Sequence, residues 1–126
     1  MRELTKAEEQ VMQVLWKIEK GFVKDILEHF NDPKPAYNTV STIVRILQEK
    51  GFVKHKAYGR THEYFPAVSR DDYSQSHLKM FVKDYFSNSF KSMFSFIANE
   101  KNISVKEMEE IMKLMESKIK KQKRTK

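Results

Sequence analysis

The segment 36–50 constrains the fold most strongly, because its apolar and polar residues lie on separate faces of a helix. The apolar residues recur at positions i, i+3, i+4 and i+7: Val40, Ile43, Val44 and Leu47. Gly51 follows directly and is the residue type that commonly ends a helix. The other faces carry short hydroxyl and amide groups and one arginine, which suit hydrogen bonds to base edges and phosphates. We interpret the segment as a recognition helix, although any amphipathic surface helix also has a polar face.

The amino-acid composition is that of a folded, basic protein. The chain has 126 residues, of which 40% are hydrophobic and 33% charged, as in a folded protein with one domain or two small ones. Its net charge of +7 favours a polyanionic partner. The absence of cysteine excludes disulfides, cysteine–zinc sites and cysteine nucleophiles. Neither a signal peptide nor a run of membrane-spanning length is present, so we expect a cytoplasmic protein.

Two further helices are predicted before the recognition helix. Thr5 and Glu8 have the spacing of a capping box and open a helix that runs to about Glu19. A shorter helix follows at 22–30, and the prolines in the segment 31–35 end it. The order is therefore helix, turn, recognition helix.

A β-hairpin is predicted directly after Gly51. The runs 52–56 and 61–65 have the character of strands, and the four residues 57–60 between them include a glycine suited to a turn. Several cations on this ribbon could contact phosphates, although lysines also protect exposed edge strands from pairing. Three helices followed by a basic hairpin predict a winged helix-turn-helix. The residues expected to contact DNA are Tyr37, Asn38, Thr39, Ser41, Thr42, Arg45, Lys54, Lys56 and Arg60.

The rest of the chain predicts a helical dimerisation domain. Helical spacing of apolar residues recurs in 71–86, in 90–98 and after a second capping box at Ser104 and Glu107. About fifty residues are too few to bury so many aromatic and methionine side chains, which favours a homodimer over packing against the chain's own winged domain. The predicted dimerisation residues are Tyr73, Phe81, Phe90, Phe94, Met108, Ile111, Met112 and Met115. The fold class is thus mainly α, with domains at 1–68 and 69–121 and a basic tail at 122–126.

Several motifs together resemble the penicillinase-repressor family of bacterial beta-lactamase and methicillin-resistance repressors. They are the runs 4–8, 11–16 and 37–40 with Thr42, the run 50–53 with the pair Gly59-Arg60, and the segment 104–111. The resemblance implies a dimeric repressor that binds a palindromic promoter operator in double-stranded DNA. It also implies inactivation through a membrane sensor protease.

The sequence departs from the family pattern at informative positions. Glu9 stands where the family usually has tryptophan, and Ile46 where it often has a basic residue. Copper-responsive relatives end in a cysteine cluster, so the absence of cysteine argues against copper sensing. The usual Asn-Phe cleavage bond is replaced by Ser95-Phe96 or Phe96-Ile97, which we expect to be the cleavage segment.

No enzyme signature, catalytic residue or cofactor site is predicted. The histidines fall on separate elements, and a pair formed by His55 and His62 across the hairpin would supply too few ligands for a good metal site. Two alternatives to a repressor remain open. One is a protein-interaction module with an acidic partner, and the other is a regulator that binds a small molecule among Tyr73, Phe81, Phe90 and Phe94.

Overall fold

The computed structural model describes residues 2–99 and 103–124, which form six helices and one two-stranded antiparallel sheet. These residues divide into two compact units, which we call the winged unit (residues 1–77) and the C-terminal unit (residues 78–126). The predicted fold class is confirmed. In chain order the elements are α1 (Lys6–Ile18), α2 (Val23–Glu28), α3 (Tyr37–Glu49), β1 (Val53–Tyr58), β2 (Thr61–Pro66), α4 (Arg70–Phe86), α5 (Phe90–Asn99) and α6 (Val105–Arg124).

The predicted capping box opens α1. The amide of Glu8 donates to Oγ1 of Thr5 at 3.2 Å, and the amide of Thr5 donates to Oε1 of Glu8 at 2.9 Å. These two bonds satisfy backbone N–H groups that the start of a helix otherwise leaves without a partner. The helix then presents Val11, Met12 and Leu15 to the core, where all three are completely buried.

A compact C-terminal turn ends α3 and directs the chain into the wing. Gly51 adopts a left-handed φ of 85°, its amide donates to the Gln48 carbonyl at 3.0 Å, and the amide of Phe52 donates to the Leu47 carbonyl at 2.9 Å. This pair of bonds is the Schellman arrangement, in which glycine supplies the left-handed residue. Phe52 thereby enters the core with 1% exposure, so β1 starts at a fixed position next to α3.

The wing is longer and its turn tighter than predicted. Val53 pairs with Pro66 at the base, and Tyr58 pairs with Thr61 at the tip. The predicted four-residue turn at 57–60 is wrong, because its first two residues continue β1 and only Gly59 and Arg60 connect the strands. Gly59 has a φ of 62°. A positive φ at the first of the two central residues is typical of two-residue hairpin turns, and glycine adopts it readily.

A backbone bridge joins the wing to the turn between α1 and α2. The amide of Gly21 donates to the Tyr64 carbonyl at 2.9 Å, and the amide of Tyr64 donates to the Gly21 carbonyl at 2.8 Å. A Cβ atom at Gly21 would lie 2.9 Å from Cδ1 of Ile18 and 3.1 Å from Cβ of Asp25. A side chain at this position would require Ile18 and Asp25 to shift, which glycine avoids. The bridge holds the middle of β2 next to this turn.

The first turns of α4 belong to the winged unit. Tyr73 is 7% exposed, and its ring centroid lies 5.7 Å from that of Trp16 and 5.8 Å from that of Phe52. Nε1 of Trp16 donates to the Val68 carbonyl at 2.9 Å, which holds the chain just before α4. The unit boundary therefore lies at 77/78 and not at the predicted 68/69. Tyr73, predicted as a dimerisation residue, is instead part of this core.

The C-terminal unit consists of the end of α4 together with α5 and α6. The predicted helix start at Ser104 is present, since Oγ of Ser104 accepts from the Glu107 amide at 3.1 Å. The predicted tail at 122–126 is wrong for residues 122–124, because α6 continues to Arg124. No glycine or proline interrupts the sequence there, and basic residues stabilise the C-terminal end of a helix. Residues 125 and 126 lie outside the described residues.

Candidate nucleic-acid interface

A polar stripe runs along the side of α3 that points away from the core. Asn38, Thr42 and Arg45 are exposed and follow one another at i, i+4 and i+7, opposite the buried apolar face. Glu49 continues the stripe at the C-terminal end of the helix. Its carboxylate repels phosphates, so the first three turns of α3 are the part suited to contact DNA.

Two residues of this stripe are engaged within the helix. Oγ1 of Thr42 donates to the Asn38 carbonyl at 2.9 Å, so its hydroxyl hydrogen is already used and the oxygen remains able to accept a hydrogen bond. Arg45 folds back onto Ser41, with Nε 3.4 Å from the carbonyl and Nη2 3.5 Å from Oγ. These contacts are long, so little free energy is needed to turn the guanidinium outward towards a base.

The remaining predicted contacts of α3 lie on its two flanks. Tyr37 is 54% exposed and shares one flank with the half-buried Ser41. Together with Arg60 of the wing, they line the same groove. Thr39 is exposed and lies on the other flank, on the same side of the helix as Ile46. The predicted set therefore divides into a central stripe, a flank that faces the wing and a flank that does not.

The wing carries its cations on one face and at its tip. Lys54 and Lys56 are exposed alternate residues of β1, and Arg60 is exposed in the turn. Glu63 pairs with Lys56 across the sheet, and Nζ of Lys56 lies 5.3 Å from the ring centroid of Tyr58. The nearby carboxylate offsets the Lys56 charge, so Lys54 and Arg60 are the wing cations best placed for phosphates.

One of two stacked histidines in the wing contacts α3. Nδ1 of His55 lies 2.5 Å from Oε1 of Gln48, and the rings of His55 and His62 stack with centroids 4.0 Å apart and planes 10° from parallel. Within residues 2–99 and 103–124, no group of three or more metal-ligating side chains is assembled. His55 thus links the wing to α3, and His62 stacks on His55.

A buried ion pair connects the end of α3 to the start of α1. Nζ of Lys50 lies 2.7 Å from Oε1 of Glu8, and the side chains are 16% and 6% exposed. Burial by itself raises the pKa of the Glu8 carboxyl, but hydrogen bonds from Lys50 and Thr5 and the Lys50 charge outweigh it and lower the pKa. The carboxylate therefore stays ionised and fixes the C-terminal end of α3 to the core. Sequence reasoning identified Glu8 only as a helix cap.

Comparison with known proteins identifies the family. A profile of the penicillinase repressor family matches residues 4–117. The chain belongs to the penicillinase repressor family. The methicillin resistance regulatory protein MecI of Staphylococcus aureus (strain N315) is 24% identical over 117 residues, covering 92% of this chain and 95% of MecI. The penicillinase repressor of Bacillus licheniformis is 24% identical over 116 residues, covering 90% of each. The resemblance found in the sequence is confirmed.

Structural comparison agrees on the fold. The solved structure of a complex of hsRosR-S4 matches with a TM-score of 0.52 and 17% identity, covering 79% of this chain and 90% of that one. The penicillinase repressor family is one of transcriptional repressors rather than enzymes. In the described part of the chain, no helix combines the length and the apolar character needed to cross a membrane.

The C-terminal unit leaves most of its apolar side chains exposed. Of its described residues, only Val82 and Met93 are buried hydrophobics. Three residues that were not among the predicted dimerisation residues are highly exposed: Tyr85 at 74%, Val105 at 68% and Ile119 at 52%. The predicted dimerisation residues in this unit are exposed or half-buried: Phe81, Phe90, Phe94, Met108, Ile111, Met112 and Met115.

Helix α6 carries a continuous apolar stripe with a heptad-like repeat. The stripe residues are spaced alternately three and four positions apart: Val105, Met108, Met112, Met115 and Ile119. Such spacing gives α6 one narrow apolar face from Val105 to Ile119, as in helices that form coiled coils. Helical spacing alone predicts this stripe, and the exposure of Val105, Met112, Met115 and Ile119 shows that water contacts it in the single chain.

Proposed function

We propose that this member of the penicillinase repressor family is a homodimer that occupies a promoter operator and excludes polymerase. The observation that supports this most directly is the position of the α3 stripe beside the cationic wing in one compact unit. The Gln48–His55 contact at 2.5 Å holds the two surfaces together. A helix of this kind fits the major groove, while the wing cations neutralise phosphates next to it.

The exposed apolar residues of the C-terminal unit support the proposal of a dimer. A second copy would cover the exposed stripe of α6 and the aromatic residues of α4 and α5, which water otherwise contacts. Homo-oligomers are commonly two-fold symmetric, and a two-fold dimer presents two copies of α3 to a palindromic site. Tyr73 is 7% exposed in the core of the winged unit, which disfavours it as a contact for a small-molecule ligand.

Direct reading of bases is tested with Thr42→Ala and Arg45→Ala. We expect each variant to lose about 1–3 kcal/mol of binding free energy on an operator duplex obtained by in vitro selection, because base-edge contacts are lost. The loss on a random duplex of equal length should be smaller. Equal losses on both duplexes would show that the two residues contact only phosphates.

The same titrations separate the repressor from the protein-interaction module. A repressor loses affinity for the selected duplex linearly with the logarithm of salt concentration, because phosphate contacts release counterions. Absence of a salt-dependent complex with any duplex would favour an acidic protein partner over DNA.

Release from DNA is proposed to follow cleavage in α5, at Ser95-Phe96 or Phe96-Ile97, by a pathway that begins at a membrane sensor protease. Phe96 is 50% exposed, and its ring centroid lies 5.7 Å from that of Phe86. Cleavage here would separate α6 from α4, so the dimer would lose part of its interface. Because the segment is helical, it must unwind locally before a protease can bind it as an extended chain.

Intact-mass analysis of protein from induced cells tests the cleavage proposal. We expect fragments that end at residue 95 or 96 to accumulate as repression is lifted. Full-length dimer recovered while the promoter is active would exclude cleavage and point to release by a ligand or partner.

A further inference from the structure

A groove crosses the winged unit between the recognition helix and the wing. Its cavity volume is about 560 Å³, and its walls come from α2 with the preceding residue, the first turns of α3, and the turn and second strand of the wing. The polar side chains that decide its chemistry are Lys24, Asp25, Tyr37, Ser41, Arg60 and His62. Only three of these were predicted to contact DNA: Tyr37, Ser41 and Arg60.

The groove has the chemistry of an anion site. Lys24 of α2 and Arg60 of the wing supply cations from two different elements, and Tyr37 and Ser41 supply hydroxyl donors from a third. The single acidic side chain is Asp25, whose Oδ2 already accepts a hydrogen bond from the Phe22 amide at 3.0 Å. The formal side-chain charge of the wall, with histidine neutral, is therefore positive, from two cations and one anion.

The position of the groove identifies the anion. In the proposed complex, α3 lies in the major groove of the DNA and the wing lies beside the adjacent minor groove. The DNA strand that separates these two DNA grooves must then cross the space between α3 and the wing. We propose that this groove holds a phosphodiester of that strand, with Lys24 and His62 as ligands in addition to Arg60. The inference rests on the proposed DNA-binding function, and it assigns a DNA contact to α2, the helix that precedes the recognition helix.

His62 is the ligand that the second strand of the wing contributes to this contact. It faces Lys24 and Asp25 of α2, Tyr37 of α3, and Arg60, Tyr64 and His55 within the wing. A ring nitrogen of His62 can donate a hydrogen bond to a phosphate oxygen. His55 stacks on His62 with ring centroids 4.0 Å apart, which limits the movement of the imidazole.

The Lys24 contact is tested with Lys24→Gln in the full-length protein, titrated with the selected operator and with a random duplex. We expect weaker binding to both duplexes and a salt slope smaller by about 0.9, the value for one lost phosphate contact. Lys17→Gln is the matched control, because Lys17 is an exposed lysine of α1 that does not line the groove. Its salt slope should equal that of the wild type.

The His62 contact is tested with His62→Gln and His62→Phe. The amide of glutamine can still donate to a phosphate oxygen, whereas phenylalanine keeps a planar ring without a donor. We expect His62→Phe to weaken binding to both duplexes and His62→Gln to weaken it less. A mere packing role for His62 would give the opposite order, with His62→Phe the better tolerated.

These measurements test the phosphate contact in the groove separately from the proposal that the protein is a DNA-binding repressor. Wild-type protein that binds no duplex would overturn both. Wild-type protein that binds the operator, with an unchanged salt slope in Lys24→Gln and an unchanged affinity in His62→Phe, would overturn the groove alone and leave the repressor proposal intact.

Discussion

Replacement of Met112 with aspartate is expected to convert the protein into a monomer that binds its operator on the order of a hundredfold more weakly. Met112 is 61% exposed at the middle of the apolar stripe of α6. In a two-fold dimer, the substitution would place two carboxylates in the interface, one from each copy. Both would be desolvated without a partner. A monomer occupies one half-site and loses the high effective concentration of a tethered second site.

Ser117→Asp is the matched control, because it adds the same carboxylate to α6 outside the apolar stripe. We expect it to remain dimeric in sedimentation equilibrium and to bind as the wild type does. Fluorescence of Trp16, the single tryptophan, should be unchanged in both variants because it reports the winged unit. A Met112→Asp protein that still sediments as a dimer would place the interface elsewhere.

Removal of the Glu8 side chain should destabilise the winged unit by about 3 kcal/mol, the lower end of the range for breaking a buried ion pair. In Glu8→Ala, Lys50 loses its partner and the Thr5 amide loses the acceptor that caps α1. For a unit of this size, the thermal midpoint would fall by roughly 15 °C. Thermal unfolding followed by the fluorescence of Trp16 measures this loss.

The Glu8→Gln variant separates the effect of the charge on stability from that of the helix cap, because an amide oxygen can still accept a hydrogen bond from the Thr5 amide. The folded-state pKa of Glu8 is lowered, so its contribution to stability is fully present above the unfolded value of about 4.3. That contribution is lost as the pH falls through the folded pKa. The stability difference between wild type and Glu8→Gln should therefore be constant near neutral pH and shrink below about pH 4. A difference that does not change with pH would show that the Glu8 charge contributes nothing.

The sequence by itself determined the elements and the functional face of α3. The spacing of Val40, Val44 and Leu47 predicted which side of α3 is buried, and therefore that Asn38 and Thr42 point outward. The capping boxes predicted the starts of α1 and α6. These features are readable because they depend on neighbours three or four residues apart, whose relation is set by helical geometry alone.

The tertiary structure alone decided which distant residues meet. Tyr73 has the same helical spacing as the exposed aromatic residues of α4, but only packing against Trp16 assigns it to the core of the winged unit. The Glu8–Lys50 pair joins residues 42 positions apart, and the Lys24–Arg60 groove exists only because α2 and the wing converge. Such contacts depend on how whole elements pack, and the periodicity of a single element carries no information about its partner.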